Sequence, residues 1–283
     1  MNCKQIILLF TLQITIISLL QSANSQEQID FAGGVCDESE NVSTTSKYHN
    51  NIISLLDNFL NQSSHYKFFN ASSGTGGDLV NGLYVCRPDV SLDTCHSCLE
   101  AAVDTFNQYC FGVKEIFIWY QECMLRYSNH TIFAILETKP WNSGHSNLNV
   151  SRPDIFPTIL NKTLGSIIAK ASMPNNEDRF AYDNTTFTAF EGLYGMAWCT
   201  PDITPSNCKR CLDTAFSRFS KCCNNALAQR ASVHLPSCIL KYDTAPFIFG
   251  YSPPQLAPSP SPSPSSSPLP SLSPLSSPSP SPS

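Results

Sequence analysis

Two segments carry the residues best able to do chemistry. Cys95-His96-Ser97-Cys98-Leu99 and Cys208-Lys209-Arg210-Cys211-Leu212 both hold a Cys-x2-Cys. Two such pairs can complete a zinc site, one can be a redox-active dithiol, and either can belong to a disulfide framework. Zinc would require the two pairs to meet, and would leave the remaining cysteines without a role. A redox dithiol needs a strand feeding straight into the motif within a βαβ unit. Here each motif follows another cysteine by a nine-residue step, as Cys86 to Cys95 and Cys199 to Cys208. A structural framework is the simplest reading, and no metal or cofactor is expected. His96 is then an exposed helix residue, since Lys209 stands in its place in the second motif.

Other chemistry is sparse. The six histidines, His49, His65, His96, His130, His145 and His234, form no metalloprotease spacing. There is no Gly-x-Ser-x-Gly and no phosphate loop. Gly74-Thr75-Gly76-Gly77 is better read as a hairpin between two strands. Asp89, Asp93, Glu100 and Asp104 follow the logic of helix starts and helix surfaces. No catalytic residue is assigned; a hydrolase built from distant carboxylates stands as a lesser alternative. The net charge is −5 with no Lys/Arg-rich stretch, so nucleic-acid binding has no electrostatic basis.

The ends set the compartment. One Lys precedes an apolar run from Ile6 to Leu20, followed by Ala23-Asn24-Ser25. That pattern predicts a cleaved secretory leader over residues 1–25, with the cut before Gln26. The run is shorter than the roughly 20 residues of a spanning helix, so no stable membrane insertion is expected. Loss of Cys3 leaves twelve cysteines, an even number, and a secreted chain of this kind is expected to oxidise them. Residues 252–283 are almost wholly Pro and Ser. They cannot bury a core and favour extended polyproline II, so a disordered stalk or spacer is expected there.

A repeat lies between the ends. "CRPDVSLDTCHSCLEAAVDTF" from Cys86 matches "CTPDITPSNCKRCLDTAFSRF" from Cys199. Gly82-Leu83-Tyr84 and Gly192-Leu193-Tyr194 flank the two segments, and Cys123-Met124-Leu125-Arg126-Tyr127 matches Cys238-Ile239-Leu240-Lys241-Tyr242. Two copies of one domain follow, at 26–136 and 137–251. In each, helical spacing comes first: Ile52, Leu55, Leu56 and Phe59, then Ile155, Ile159, Leu160 and Leu164. A strand follows over Leu79–Cys86 or Gly192–Cys199. A second helix starts near the capping residues Ser91 and Thr204. Closing strands are expected over Ile116–Tyr127 and Ile132–Leu136. The fold class is α+β: two tandem disulfide-stapled domains, each with two helices packed on an antiparallel sheet.

The duplicated Cys-x8-Cys-x2-Cys core behind a leader resembles the plant cysteine-rich repeat family. That family is built on the domain of the antifungal seed protein ginkbilobin and includes secreted double-domain proteins and the ectodomains of cysteine-rich receptor-like kinases. The resemblance runs from about Ile29 to Tyr251. It implies Cys36–Cys110, Cys86–Cys95 and Cys98–Cys123 in the first copy, and Cys199–Cys208 and Cys211–Cys238 in the second. The first of these would close a long loop, worth roughly 4 kcal/mol if the effect is loop entropy. The second copy departs from the pattern: its early cysteine is missing, while Cys222 and Cys223 stand adjacent. That pair forms a vicinal disulfide, stays reduced, or pairs with another chain.

The resemblance also implies a sugar site. Domains of this kind can bind mannose through an Asn just after the first Cys, an Arg before the last Cys and a Glu after it. In the first copy these positions read Asp37, Phe117 and Ser128, so the set is lost. In the second copy Arg230 and Asp243 are the candidates, and the Asn has no place because its Cys is absent. A surface salt bridge between neighbouring strands is the plainer role for Arg230 and Asp243. The aromatic closing strand, with Phe111, Phe117, Trp119 and Tyr120, is expected to serve partly as core and partly as an interface between the copies. Seven glycosylation sequons occur, at Asn41, Asn61, Asn70, Asn129, Asn149, Asn161 and Asn184; each that is used must face solvent. The expectation is a secreted, apoplastic, non-enzymatic recognition protein of stress or defence, with an extracellular glycan or protein as ligand. A truncated receptor-kinase ectodomain is the alternative.

Overall fold

Each helix begins where the sequence offers a cap. In the computed structural model, which describes residues 29–39 and 41–248, α1 (Lys47–Ser63) starts after Ser46, whose hydroxyl accepts from the His49 N–H at 3.1 Å. Ser91 caps α2 (Leu92–Tyr109) through the Thr94 N–H at 3.0 Å, and Thr204 caps α4 (Pro205–Cys222) through the Asn207 N–H at 3.2 Å. These bonds satisfy backbone donors that a helix start leaves open. The remaining helix, α3 (Phe156–Ala171), has no side-chain cap and carries a proline in its first turn, where a missing N–H costs nothing. The leader expected over residues 1–25 and the Pro/Ser segment over 252–283 lie outside the described residues.

The strands are β1 (Phe31–Cys36), β2 (Phe68–Ser73), β3 (Val80–Cys86), β4 (Ile116–Tyr120), β5 (Cys123–Ser128), β6 (Asn142–His145), β7 (Phe180–Thr186), β8 (Gly192–Cys199), β9 (Arg230–Leu235) and β10 (Cys238–Asp243). They form two five-stranded antiparallel sheets, ordered β1-β4-β5-β3-β2 and β6-β9-β10-β8-β7. The same topology occurs twice, as the repeat requires. Gly74–Gly77 lies in the β2–β3 hairpin, with a 3-10 turn at Gly76–Asp78.

Each sheet has two buried faces. Helices α1 and α2 cover one face of the first sheet, packing Ile52, Leu55, Phe59, Leu99 and Phe106 against Tyr84, Ile116, Ile118 and Leu125. Helices α3 and α4 do the same for the second sheet through Leu164, Ile167, Leu212 and Phe219. The other two faces meet at a seam: Leu83, Val85, Phe117, Trp119 and Met124 pack with Phe180, Met196, Trp198 and Ile239. The order is helices, sheet, sheet, helices. Phe117 and Trp119 serve the seam, Tyr120 the helix side and Phe111 remains half exposed at 49%.

Several local expectations need correction. Ile116–Tyr127 is a hairpin of two strands, β4 and β5, turning at Gln121–Glu122. Residues 132–136 are not a strand. Their backbone bonds to the second copy instead: the Ala134 N–H donates to Asp202 Oδ2 at 2.7 Å, and the Ile135 carbonyl accepts from Ser237 Oγ at 3.2 Å. His96 is half-buried rather than free on the helix surface, with Nδ1 2.8 Å from Ser63 Oγ. The matching Gly-Leu-Tyr triplets are out of register by three, because Gly82 pairs with Tyr127 while Gly195 pairs with the equivalent Tyr242.

Candidate functional site

Strand alternation grades the seam from apolar to charged. On β10, Ile239, Lys241 and Asp243 share the seam face, while Cys238, Leu240 and Tyr242 point to the helices. On β9, Arg230, Ser232 and His234 take the seam face, opposite Asp243, Lys241 and Ile239. Ile239 is buried with Trp119 and Trp198 and His234 lies buried beside Trp119, while Arg230, Lys241 and Asp243 emerge at the margin. There Arg230, Ser232, Lys241, Asp243, Gly144 and His145 meet Asp30 and Gln121 of the first copy around a cleft of about 310 Å³. A second void, between Trp198, Ile239 and Met124, holds about 10 Å³ and belongs to the seam core.

The cleft floor is a strained electrostatic position. Lys241 Nζ donates to Gln121 Oε1 at 2.9 Å and lies 4.4 Å from the Phe247 ring centre. Burial, together with the Arg87 and Arg230 charges, holds its ammonium below the ordinary lysine range, against the pull of Asp243 and Glu122. Beside it, Glu122 is buried and accepts from the Asp30 N–H at 3.1 Å. Burial pushes the Glu122 carboxyl up to about 7. The turn that carries Gln121 and Glu122 is fixed by Arg87, which donates to the Gln121 carbonyl at 2.9 Å and is paired with Asp89. His234, fully buried at the seam with Nε2 3.0 Å from Ser232 Oγ, is driven down to about 3 by desolvation.

Register places the sugar-site positions. Asp37 donates its N–H to Glu115 O, and Ser146 donates likewise to Arg230 O. Ser146 is therefore the counterpart of Asp37, in the place the sequence could not assign. Cys36 pairs with Ile116 and His145 with Ala231, so His145 stands where the missing cysteine would be. Phe117 pairs with Arg126 and Ser232 with Lys241. Ser232, not Arg230, is the counterpart of Phe117, and Arg230 corresponds to Glu115. Arg230 and Asp243 are direct cross-strand partners, yet among the described residues no ion pair joins them. Both line the cleft.

The equivalent region of the first copy is closed by the chain itself. Arg126, at the position of Lys241, is 1% exposed, pairs with Glu137 from the linker and lies 4.8 Å from the Phe117 ring centre. Ser128, at the position of Asp243, has its hydroxyl 2.6 Å from His130 Nδ1. Only the second copy offers these positions to solvent. The signal missed in the sequence is Gln121 with Asp30: nothing in their local pattern shows that they wall a cleft belonging to the other copy.

The cysteines sit in pairs Cys36–Cys110, Cys86–Cys95, Cys98–Cys123, Cys199–Cys208, Cys211–Cys238 and Cys222–Cys223. The seven sequon asparagines, Asn41, Asn61, Asn70, Asn129, Asn149, Asn161 and Asn184, are all exposed. Among the described residues, no group of His, Cys, Asp and Glu is arranged to hold a metal ion, and no helix is long and apolar enough to cross a membrane.

A family model described as salt stress response/antifungal matches residues 35–130 and 142–245, one match per sheet. The chain belongs to this family. It is 33% identical over 245 residues to cysteine-rich repeat secretory protein 9 of Arabidopsis thaliana, covering 86% of this chain and 73% of that protein. It is 35% identical over 203 residues to the putative cysteine-rich repeat secretory protein 7 of the same plant, covering 71% of each. Cysteine-rich receptor-like protein kinase 25 of Arabidopsis thaliana is 31% identical over 219 residues, which is 75% of this chain and 32% of the kinase. The tandem ectodomain of the Arabidopsis thaliana cysteine-rich receptor-like protein PDLP8 superposes with a TM-score of 0.66 at 22% identity, covering 77% of this chain and 99% of that one. The family's tandem α+β fold is thus the fold found here, and a secreted, extracellular location goes with membership.

Proposed function

We propose that this family member is a non-enzymatic recognition protein of plant stress or defence that takes a carbohydrate in the seam cleft of its second copy. The observation that carries the reading is the cleft itself, with Arg230 and Asp243 opposed across β9 and β10 and Lys241 at its floor. Sugar hydroxyls both donate and accept. Arg230, Lys241 and Ser232 supply donors; Asp243, Asp30 and Gln121 supply acceptors. A planar guanidinium beside a short carboxylate suits a pair of neighbouring hydroxyls. The volume is at the small end of ligand sites, which run from roughly 300 to 1,000 Å³, and fits one sugar ring. The arrangement favours holding a polyol over attacking it, and the exposed sequons fit a glycosylated surface.

The test is a glycan-array and cell-wall-polysaccharide screen of the mature protein, followed by titration of the best sugar, with mannose included, against Arg230→Ala and Asp243→Ala. Each variant is expected to weaken binding at least about tenfold, the effect of losing one charge-assisted hydrogen bond of roughly 1.5–3 kcal/mol. Unchanged affinity in both variants would remove the cleft from the site. A second reading, the ectodomain of a receptor-like kinase, rests on the match to such kinases over about a third of their length. A transcript encoding a kinase beyond Ser283 would decide for it.

A further inference from the structure

Five of the six disulfides join separate elements. Their partners are 74, 9, 25, 9 and 27 residues apart, and each closes a loop whose entropy the unfolded chain would regain on reduction. Cys222–Cys223 joins neighbours, with a separation of 1. It closes no loop and ties no two elements. Register gives the cause. Cys223 lies at the end of α4 as Cys110 lies at the end of α2, but His145 occupies the place of Cys36. The buried Cys223 has lost its cross-element partner, and its half-buried neighbour takes that role.

A second observation marks the same spot. The three residues after the pair, Asn224, Asn225 and Ala226, have φ of 51°, 55° and 61°. A run of non-glycine residues in the left-handed region costs roughly 1–2 kcal/mol per residue. The turn is tied to the neighbouring chain through residues 227–229, where the Val150 N–H donates to the Leu227 carbonyl at 3.0 Å and Gln229 Nε2 to the Asn149 carbonyl at 3.2 Å, and by bonds of its own. Asn224 Nδ2 donates to Asn149 Oδ1 at 2.5 Å, the Ala226 N–H to the Cys223 carbonyl at 2.9 Å, and the Gln229 N–H to the Leu148 carbonyl at 2.8 Å. The segment leads directly into β9.

We propose that Cys222–Cys223 is a redox modification site, opened by an external dithiol while the fold stays intact, and that opening it releases the left-handed turn at 224–226. A thiolate of the dithiol attacks the more accessible Cys222 sulfur. The Cys222–Cys223 bond breaks, and its electron pair leaves on Cys223 as a thiolate, which takes up a proton. The second thiol of the reductant, deprotonated, then displaces Cys222 from the mixed disulfide. Cys222 leaves as a thiolate and is protonated, and the reductant departs as its own disulfide. Two electrons pass from the dithiol to the protein. The proposal does not depend on what the seam cleft binds.

The test is a dithiothreitol titration of the folded protein, with free thiols alkylated and mapped by peptide mass spectrometry. Cys222 and Cys223 are expected to take label at a dithiothreitol concentration at least about tenfold below that which labels any other pair. Hydrogen exchange at residues 224–229 is expected to rise at least about tenfold in the selectively reduced protein, with α2 and β3 unchanged. Labelling of another pair first, or of all pairs together, would overturn the proposal, as would unchanged exchange at 224–229. The double variant Cys222→Ser/Cys223→Ser is expected to be secreted folded with five disulfides; failure to do so would show that the bond is structural and would also overturn it.

Discussion

Gly82 and Gly195 hold the same place in the two copies, each on the strand that lies directly beneath a helix. A Cβ on Gly82 would sit 2.7 Å from Leu55 Cδ2, and one on Gly195 would sit 2.6 Å from Ile167 Cδ1. The absence of a side chain lets α1 approach β3, and α3 approach β8. Gly82→Ala and Gly195→Ala are each expected to destabilise by about 1–3 kcal/mol, the usual cost of overpacking. Gly165→Ala, in α3 with open space around the added Cβ, is expected to stabilise by about 0.5–1 kcal/mol. Urea unfolding of the three variants checks the contrast; a neutral result at 82 and 195 would mean that the helices can move away.

What was legible in the sequence follows from which strands are covered. β3, β4 and β5 are buried along their whole length, because helices cover one face and the other sheet covers the opposite one. β4, Ile116–Tyr120, therefore reads as a continuous apolar and aromatic run, and β3 and β5 as mostly apolar ones broken by Asn81 and by the buried Arg126 and Ser128. β1, with Gly33 and Gly34, and β6, Asn142–His145, are half exposed and lie at sheet edges, so they carry no comparable pattern. β2 and β7 escape for the same reason. The linker at 132–136 reads as a strand because Ile132, Phe133 and Ile135 are apolar, but Ile132 and Phe133 pack into the seam while Ile135 is exposed. The cleft follows the same logic. Arg230 and Asp243 could be found from one copy's sequence, whereas Gln121 and Asp30 become neighbours only when two sheets pack face to face. Phe117 and Arg230 lie equally far beyond Cys110 and Cys223, but the second copy's connection is longer, so strand pairing matches Phe117 with Ser232 instead.

Trp119 and Trp198 are 0% and 2% exposed in a seam cluster drawn from both copies. Neither copy can shed this cluster without exposing the other's large apolar side chains, so the two sheets are expected to unfold as one unit. Calorimetry should show a single transition. Trp119→Ala is expected to cost about 3–5 kcal/mol and to lower that transition without splitting it. Two resolved transitions in the parent protein, or loss of only one copy's signal in the variant, would show that the copies are stable independently.

Glu122 sets a pH dependence whose sign is fixed by its burial. Its carboxyl ionises near 4.5 when exposed and near 7 in the fold. Below 4.5 both states hold the proton, and the group contributes no difference. Between 4.5 and 7 the unfolded chain releases the proton while the folded protein retains it, so stability falls as pH rises. Above 7 the loss is complete, at about 3 kcal/mol for a gap of this size. His234 slopes the other way: desolvation lowers it from 6.5 to about 3, so its contribution is lost as pH falls through that interval. Comparing Glu122→Gln with the parent cancels the histidine, and the amide oxygen can still accept from the Asp30 N–H. The two proteins are expected to match near pH 4.5, with the Gln variant more stable by about 3 kcal/mol at pH 8 in urea unfolding. A stability difference that stays constant from pH 4.5 to 8 would show that Glu122 ionises as freely at the seam as it does in the unfolded chain.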